Sequence, residues 1–158
     1  MLPMKNKIIE LLEPSAVKLG IEVKDSNEVV TILGDLLYKK GYVENTFVEA
    51  ALSRERELPT GLPLGGEYNA AIPHTDIEHV IKPGLAMATM TRPVTFQNMV
   101  APEEAVPVNL VILMALEKAK TQVEMLQEIA GVLQDVNVIN RLIEAKTFDD
   151  VQAALSVT

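Results

Sequence analysis

Apolar residues recur along the chain in two different periods, which predict strands and helices in alternation. Between residues 17 and 23 every second position is apolar, a pattern typical of a half-buried strand. From 29 to 37 apolar residues return every three or four positions, which predicts a helix. Asp25 or Ser26 is expected to cap this helix, and Gly41 to end it in a left-handed conformation.

The middle of the chain continues the same alternation. A second helix is predicted at 45–57, and strands are predicted at 70–72, 85–90, 94–96 and 106–116. A turn at Arg92 and Pro93 is expected to separate the strand at 85–90 from the strand at 94–96. The last strand is apolar at almost every position, as a central strand buried on both faces must be.

Helices are predicted to complete the chain. A helix at 119–134 carries an apolar face that includes Val123, a short helix is expected to be capped by Asn137, and a capping box at 147–150 precedes a final helix. Residues 1–14 are predicted to form a short helix or a loose arm. Together the elements indicate one α/β domain over residues 1–158, with a mixed sheet sandwiched by helices on both faces.

Composition narrows the possible functions. The chain has 22 acidic and 14 basic residues and a net charge of −8, which disfavours binding to nucleic acid or to an anionic membrane. It has no cysteine, which excludes disulfides, thiolate catalysis and cysteine-based zinc sites. The N-terminal residues do not resemble a signal peptide, and no apolar stretch is long enough to span a bilayer, so a cytoplasmic protein is predicted.

Candidate chemistry is concentrated in residues 53–80. This segment holds both histidines, three of the eight glycines and three of the nine prolines. Long glycine-rich connections within compact patterns are often functional. Pro73 restricts how the chain enters His74, which is expected to lie at the end of a strand, where open α/β sheets bind ligands.

Groups suited to an anion accompany this histidine. Thr60 and Gly61 offer hydroxyl and backbone donors, and Arg54 carries a guanidinium fork that suits phosphate. With no cysteine in the chain, this combination favours His74 as a nucleophilic imidazole that accepts a phosphoryl group. Transfer of this kind depends on positioning and charge neutralisation, so no metal or organic cofactor is expected.

Several of these residues form recognisable motifs. Arg-Glu at 54–55, Pro-Thr-Gly-Leu at 59–62 and Ala-Ile-Pro-His at 71–74 resemble the active-site signature of the IIA component of the bacterial sugar phosphotransferase system, in its fructose/mannitol superfamily. The run from 74 to 80 is most similar to the galactitol-specific branch. The apolar strand and the segment 122–126 are like the family's final strand and following helix.

The resemblance implies an activity and two partners. His74 would accept a phosphoryl group from the phosphocarrier protein HPr and pass it to a sugar-specific IIB component, for uptake of a hexitol such as galactitol. Arg54 would stabilise the phosphoryl charge. Mannitol and fructose members carry a second histidine where this chain has Gln122, whose amide can orient a group but cannot titrate. With Thr60 and Gly61, Gln122 and His79 complete the predicted binding residues.

Two alternatives stay open at this point. His74, Asp76 and His79 are legitimate metal ligands, and a site with three protein ligands could activate water for hydrolysis. The other alternative is a regulatory module that keeps a phosphorylatable His74 without serving transport. For His79 a polar contact near the loop is favoured over a direct part in transfer.

Overall fold

A five-stranded sheet lies between two layers of helices. The computed structural model describes residues 4–156, and the surroundings of side chains from residue 7 onward. The strands are β1 (Leu12–Ile21), β2 (Gly61–Leu62), β3 (Ala70–Ala71), β4 (Gly84–Gln97) and β5 (Ala105–Ala115). The helices are α1 (Met4–Leu11), α2 (Ser26–Lys39), α3 (Phe47–Glu57), α4 (Ala119–Leu133), α5 (Val136–Glu144) and α6 (Phe148–Ser156), with a 3₁₀ turn at Ile77–His79.

The sheet is mixed, as predicted. Its strands lie in the order β1-β4-β5-β3-β2. The pairs β1/β4 and β3/β5 are parallel, whereas β4/β5 and β2/β3 are antiparallel. The parallel alignment of β3 with β5 directs the chain leaving each of them to the same edge of the sheet.

Each face of the sheet has its own apolar core. Leu110 and Ile112 face α1 and the C-terminal helices, while Val111 and Leu113 face α2 and α3. Side chains of a strand alternate between the two faces, so the part of β5 that is buried on both faces, residues 110–115, has to be apolar at every position. The prediction of a central, doubly buried strand is therefore confirmed for this part of β5, where each fully buried aliphatic side chain contributes about 1.5–3 kcal/mol.

The helix termini follow local hydrogen bonding. The Asp25 carboxylate accepts the Glu28 N–H (2.9 Å) at the start of α2, and Gly41 has φ +81° just beyond its end, as predicted. The predicted capping box of α6 is also confirmed, since Asp150 N–H donates to the Thr147 hydroxyl (3.1 Å). The predicted cap of α5 is wrong: Asp135 accepts the N–H of Asn137 (2.9 Å), so Asn137 lies inside the helix.

Three further predictions need correction. The strands expected at 85–90 and 94–96 are one strand, β4, and the expected turn at Arg92 and Pro93 is a register shift between Thr89 and Val94. A proline can stay in a strand there because the interrupted ladder does not need its missing N–H. β1 begins at Leu12, directly after α1, rather than at residue 17.

Val123, predicted to face the core, is instead 54% exposed, because Met125, Ile129 and Leu133 set the buried stripe of α4. Within residues 4–156, no helix combines the length and apolar character needed to cross a membrane.

Candidate functional site

The candidate site lies where two parallel strands end. β3 is followed immediately by Ile72, Pro73 and His74, and the Met114 N–H of β5 donates to the Pro73 carbonyl (3.0 Å), which extends the alignment past β3. β5 leads to α4 through a short connection. His74 is therefore placed beside the first turn of α4, at the carboxyl edge of the sheet, where the sequence predicted it.

The His74 ring is oriented by a hydrogen bond to its own backbone segment. Only 7% of the residue is exposed, and Nδ1 lies 2.9 Å from the carbonyl oxygen of Ile72. A carbonyl oxygen can only accept, so Nδ1 carries the proton and Nε2 keeps its lone pair. Nε2 has no hydrogen-bond partner within residues 4–156 and is not sealed from solvent. The geometry thus presents one unprotonated nitrogen outward.

The surroundings of His74 keep the imidazole neutral. Burial lowers its pKa below the ordinary value of 6.5, and the positive charge of Arg54 lowers the pKa further. The hydrogen bond with Ile72 and the negative charge of Asp76 act in the opposite direction but do not outweigh burial. At neutral pH the ring therefore offers a lone pair rather than a cation.

Arg54 lies in the last turn of α3 and has donors to spare. One guanidinium nitrogen, Nη1, donates to Asp76 Oδ1 at 3.3 Å, a long contact. The Nε–H is buried and has no hydrogen-bond partner in the described residues. A buried donor without a partner is costly, and an anion beside the guanidinium would satisfy it.

Gln122 reaches the same loop from α4. Its amide nitrogen donates to the carbonyl oxygen of Thr75 at 2.8 Å. Thr75 directly follows His74 and is 4% exposed. The amide thus fixes the backbone beside the histidine instead of pointing at the ring.

Thr60 and Gly61, both predicted to bind the ligand, have structural contacts of their own. Thr60 donates its N–H to Glu55 Oε2 and its hydroxyl to Glu55 Oε1, each at 2.8 Å. A Cβ built on Gly61 would come within 2.5 Å of the Gln97 carbonyl oxygen, so only glycine allows β2 to approach β4 this closely. Neither of the two Thr60 donors is left over for a bound anion.

His79 has partners away from His74. Its Nδ1 lies 2.8 Å from the Thr46 hydroxyl, and Nε2 lies 3.7 Å from Glu78 Oε1. Its carbonyl oxygen accepts the Glu44 N–H (2.9 Å). These contacts tie the loop after His74 to the connection between α2 and α3, which is the polar contact favoured for His79.

The three side chains considered as metal ligands, His74, Asp76 and His79, do not converge on one site. Asp76 contacts Arg54 and His79 contacts Thr46. Over the described range, 4–156, no cluster of three or more His, Cys, Asp or Glu side chains is arranged to hold a metal ion. The donor set therefore does not fit the hydrolytic alternative.

The sequence analysis included Glu55 in the motif at 54–55 but gave it no role. In the structure Glu55 is partly buried and accepts both hydrogen bonds from Thr60. Burial raises the pKa of Glu55 to about 7, although the two bonds from Thr60 lower it. The signal available in the sequence was Thr60, which has two hydrogen-bond donors. It lies five positions after Glu55 and directly follows Pro59.

An imidazole with a free lone pair and a guanidinium with an unpartnered donor, at the carboxyl edge of a mixed sheet, are groups suited to binding and transferring an anionic group. Comparison with known proteins gives the particular family. Residues 10–157 match the family model described as phosphoenolpyruvate-dependent sugar phosphotransferase system, EIIA 2. The chain belongs to this family of phosphoryl carriers, which confirms the resemblance drawn from the motifs.

Individual relatives agree with the family match. The galactitol-specific EIIA component of Escherichia coli K12 is 33% identical over 127 residues, covering 80% of this chain and 83% of that protein. The crystal structure of IIA mannitol from E. coli superposes with a TM-score of 0.77 at 29% identity, covering 92% of this chain and 99% of that one. A complex of E. coli IIA mannitol with phosphorylated IIB mannitol matches with a TM-score of 0.74 at 28% identity, covering 92% of this chain and 96% of that one.

Proposed function

We propose that the protein carries a phosphoryl group on Nε2 of His74, accepting it from phospho-HPr and passing it to a IIB component that serves a hexitol, galactitol first among them. The single observation that carries the proposal is the hydrogen bond from Nδ1 to the Ile72 carbonyl (2.9 Å), which leaves Nε2 as the free nucleophile. The similarity to a galactitol-specific EIIA component supports the choice of sugar.

The transfer step balances without a cofactor. The Nε2 lone pair attacks phosphorus, a bond forms between phosphorus and Nε2, and the bond between phosphorus and the donor nitrogen of HPr breaks. The ring gains positive charge as the new bond forms. The Ile72 carbonyl, which accepts the hydrogen bond from Nδ1–H, stabilises that charge, so the same contact that selects the tautomer also favours the product.

Arg54 supplies the countercharge for the phosphoryl oxygens. The charge of Arg54 acts on the pKa of His74, so the two side chains are within electrostatic reach of each other. The orphaned Nε–H of Arg54 gains an acceptor when a phosphoryl oxygen arrives. Asp76, whose contact with Nη1 is 3.3 Å, holds the guanidinium in place until then.

Two partners follow from this role. The solved complex of a IIA mannitol protein with phosphorylated IIB mannitol supports a IIB component as the acceptor. Membership of the phosphotransferase system supports HPr as the donor and a cytoplasmic location.

Phosphorylation and transfer test the proposal directly. The protein would be incubated with phosphoenolpyruvate, enzyme I and HPr, and then measured by intact mass and phosphorus NMR. One acid-labile phosphoryl group on the imidazole Nε2, released on adding a galactitol-type IIB protein, is the expected result. Phosphorylation without release to any of a panel of IIB proteins would favour the regulatory module, and no phosphorylation of the folded protein would refute the proposal.

Phosphoryl acceptance is expected to depend on pH through His74. Only the neutral imidazole has a lone pair at Nε2, and burial lowers the pKa of His74 below 6.5. The acceptance rate should therefore fall as the pH is lowered, with its midpoint below 6.5. Rapid-quench measurements at saturating phospho-HPr would show this, with the titration of donor and enzyme I determined separately. A midpoint above 6.5 would contradict the lowered pKa.

Gln122→Ala is expected to slow transfer about tenfold or less, because it frees the Thr75 carbonyl without touching the ring. The rate of phosphoryl acceptance measures this, and Gln127→Ala, on the same helix, is the control. A loss as deep as that of His74→Ala would show that Gln122 contacts the phosphoryl group itself.

A further inference from the structure

Glu55 lies at the start of a series of hydrogen bonds that ends on the nucleophile. It accepts the N–H and the hydroxyl of Thr60, both at 2.8 Å. The Thr60 carbonyl accepts the Ile72 N–H at 3.3 Å. The Ile72 carbonyl accepts the Nδ1–H of His74 at 2.9 Å. The series thus connects the last turn of α3 to the imidazole through two backbone residues.

We infer that Glu55 is a positioning residue, which holds His74 in its reactive tautomer by fixing Thr60 and, through it, the carbonyl of Ile72. This inference rests on the proposed function, because it assigns a role in the same transfer. Glu55 itself touches neither the ring nor the incoming group in this arrangement. Its effect depends on the exact place of a carbonyl oxygen two residues before the histidine.

The surroundings of Thr60 explain why one carboxylate can matter this much. Thr60 is 2% exposed and Ile72 is fully buried, so neither can exchange its partners for water. β2 and β3 contribute only two residues each to the sheet, so few ladder bonds hold this part of the chain. Bonds from a side chain therefore carry a large share of the positioning.

Glu55 and its neighbour Arg54 lie on the same helix. Arg54 precedes it in the last turn of α3, so the residue that fixes the loop and the residue that offers the guanidinium belong to one rigid helix. Movement of α3 relative to β3 would displace both together. The contact between Glu55 and Thr60 can therefore hold His74 and Arg54 in a fixed position relative to each other.

The test compares Glu55→Ala with Glu55→Gln. In glutamine, the amide oxygen can accept the Thr60 N–H and the amide NH₂ can donate to the Thr60 hydroxyl, so both contacts persist. Glu55→Ala removes both. We expect Glu55→Ala to slow phosphoryl acceptance about 10- to 100-fold, as misplacement of a reacting group does, and Glu55→Gln to stay within a few fold of wild type. Glu57→Ala, one exposed carboxylate of the same helix, is the matched control.

A second readout isolates positioning from stability and from transfer. Ring ¹⁵N shifts of His74, without any phosphoryl donor, should show the Nδ1–H tautomer in wild type, Glu55→Gln and Glu57→Ala, and a mixture of tautomers in Glu55→Ala. This holds even if the wild type is never phosphorylated, so a failure of the proposed function is distinguishable from a failure of this inference.

The outcomes that overturn the inference are specific. A single Nδ1–H tautomer together with wild-type acceptance in Glu55→Ala would overturn it. Equal losses in Glu55→Gln and Glu55→Ala would overturn it too, since they would show that the negative charge matters and not the hydrogen bonds. Should Glu55→Ala not fold, Glu55→Leu, which also removes both contacts but keeps the side-chain bulk, takes its place, and an unchanged tautomer and rate in that variant would be decisive against the inference.

Discussion

His74→Ala is expected to abolish phosphorylation while the protein stays folded. Alanine has no nucleophilic atom, so intact mass after incubation with enzyme I, HPr and phosphoenolpyruvate should show no added phosphoryl group. The structural cost is limited, because within residues 4–156 the ring bonds only the Ile72 carbonyl, and a lost hydrogen bond of this kind costs about 1–3 kcal/mol. Circular dichroism and thermal unfolding would verify the fold.

The other histidine provides the matched control for this experiment. His79 bonds Thr46, and its charge is not among those acting on the pKa of His74, so His79→Ala should still be phosphorylated. Phosphoryl groups retained on His74→Ala would move the acceptor elsewhere, with His79 next to be examined. Loss of phosphorylation in both variants would show that the loop between the two histidines acts as a unit.

The fold was largely predictable because its signals are local. Alternation, helical periodicity and caps such as Asp25 depend on neighbours in sequence, and they gave the elements and the mixed, doubly covered sheet. The errors came where tertiary contacts decide. Pro93 signals a turn to any local reading, but the pairing of β4 with β5 continues on both sides of it. The exposure of Val123 likewise depends on which stripe of α4 the sheet selects.

In the candidate site, too, some features could be predicted from sequence and others could not. His74, with Pro73 before it and a short strand behind it, could be chosen from sequence because residue type and neighbours both point to chemistry. Glu55 could not, since a glutamate at a helix end is usually solvated, and only the folding back of Thr60 buries it. The tautomer of His74 could not be predicted from sequence either, because it is set by a backbone carbonyl, which every residue has.

Arg54→Ala should slow phosphoryl transfer about 10²- to 10³-fold, the effect typical of removing one preorganised donor from a developing charge. Stability should change little, because the side chain is 31% exposed and its ion pair with Asp76 is long at 3.3 Å. The pKa of His74 should rise, since the guanidinium lowers it in the wild type. Rapid-quench transfer rates, thermal unfolding and an NMR titration of the imidazole measure the three effects.

Two variants sharpen the interpretation of Arg54. Arg54→Lys keeps the charge but loses the planar fork and the Nε–H, so its rate should fall between wild type and alanine. Arg56→Ala removes an exposed arginine from the same turn of α3 and should transfer normally. If Arg54→Ala transferred at a near-normal rate while the pKa of His74 rose, the guanidinium would tune the imidazole without binding the phosphoryl group. Charge neutralisation would then be assigned to the partner protein, because Arg54 is the one cationic side chain of residues 4–156 whose charge acts on the pKa of His74.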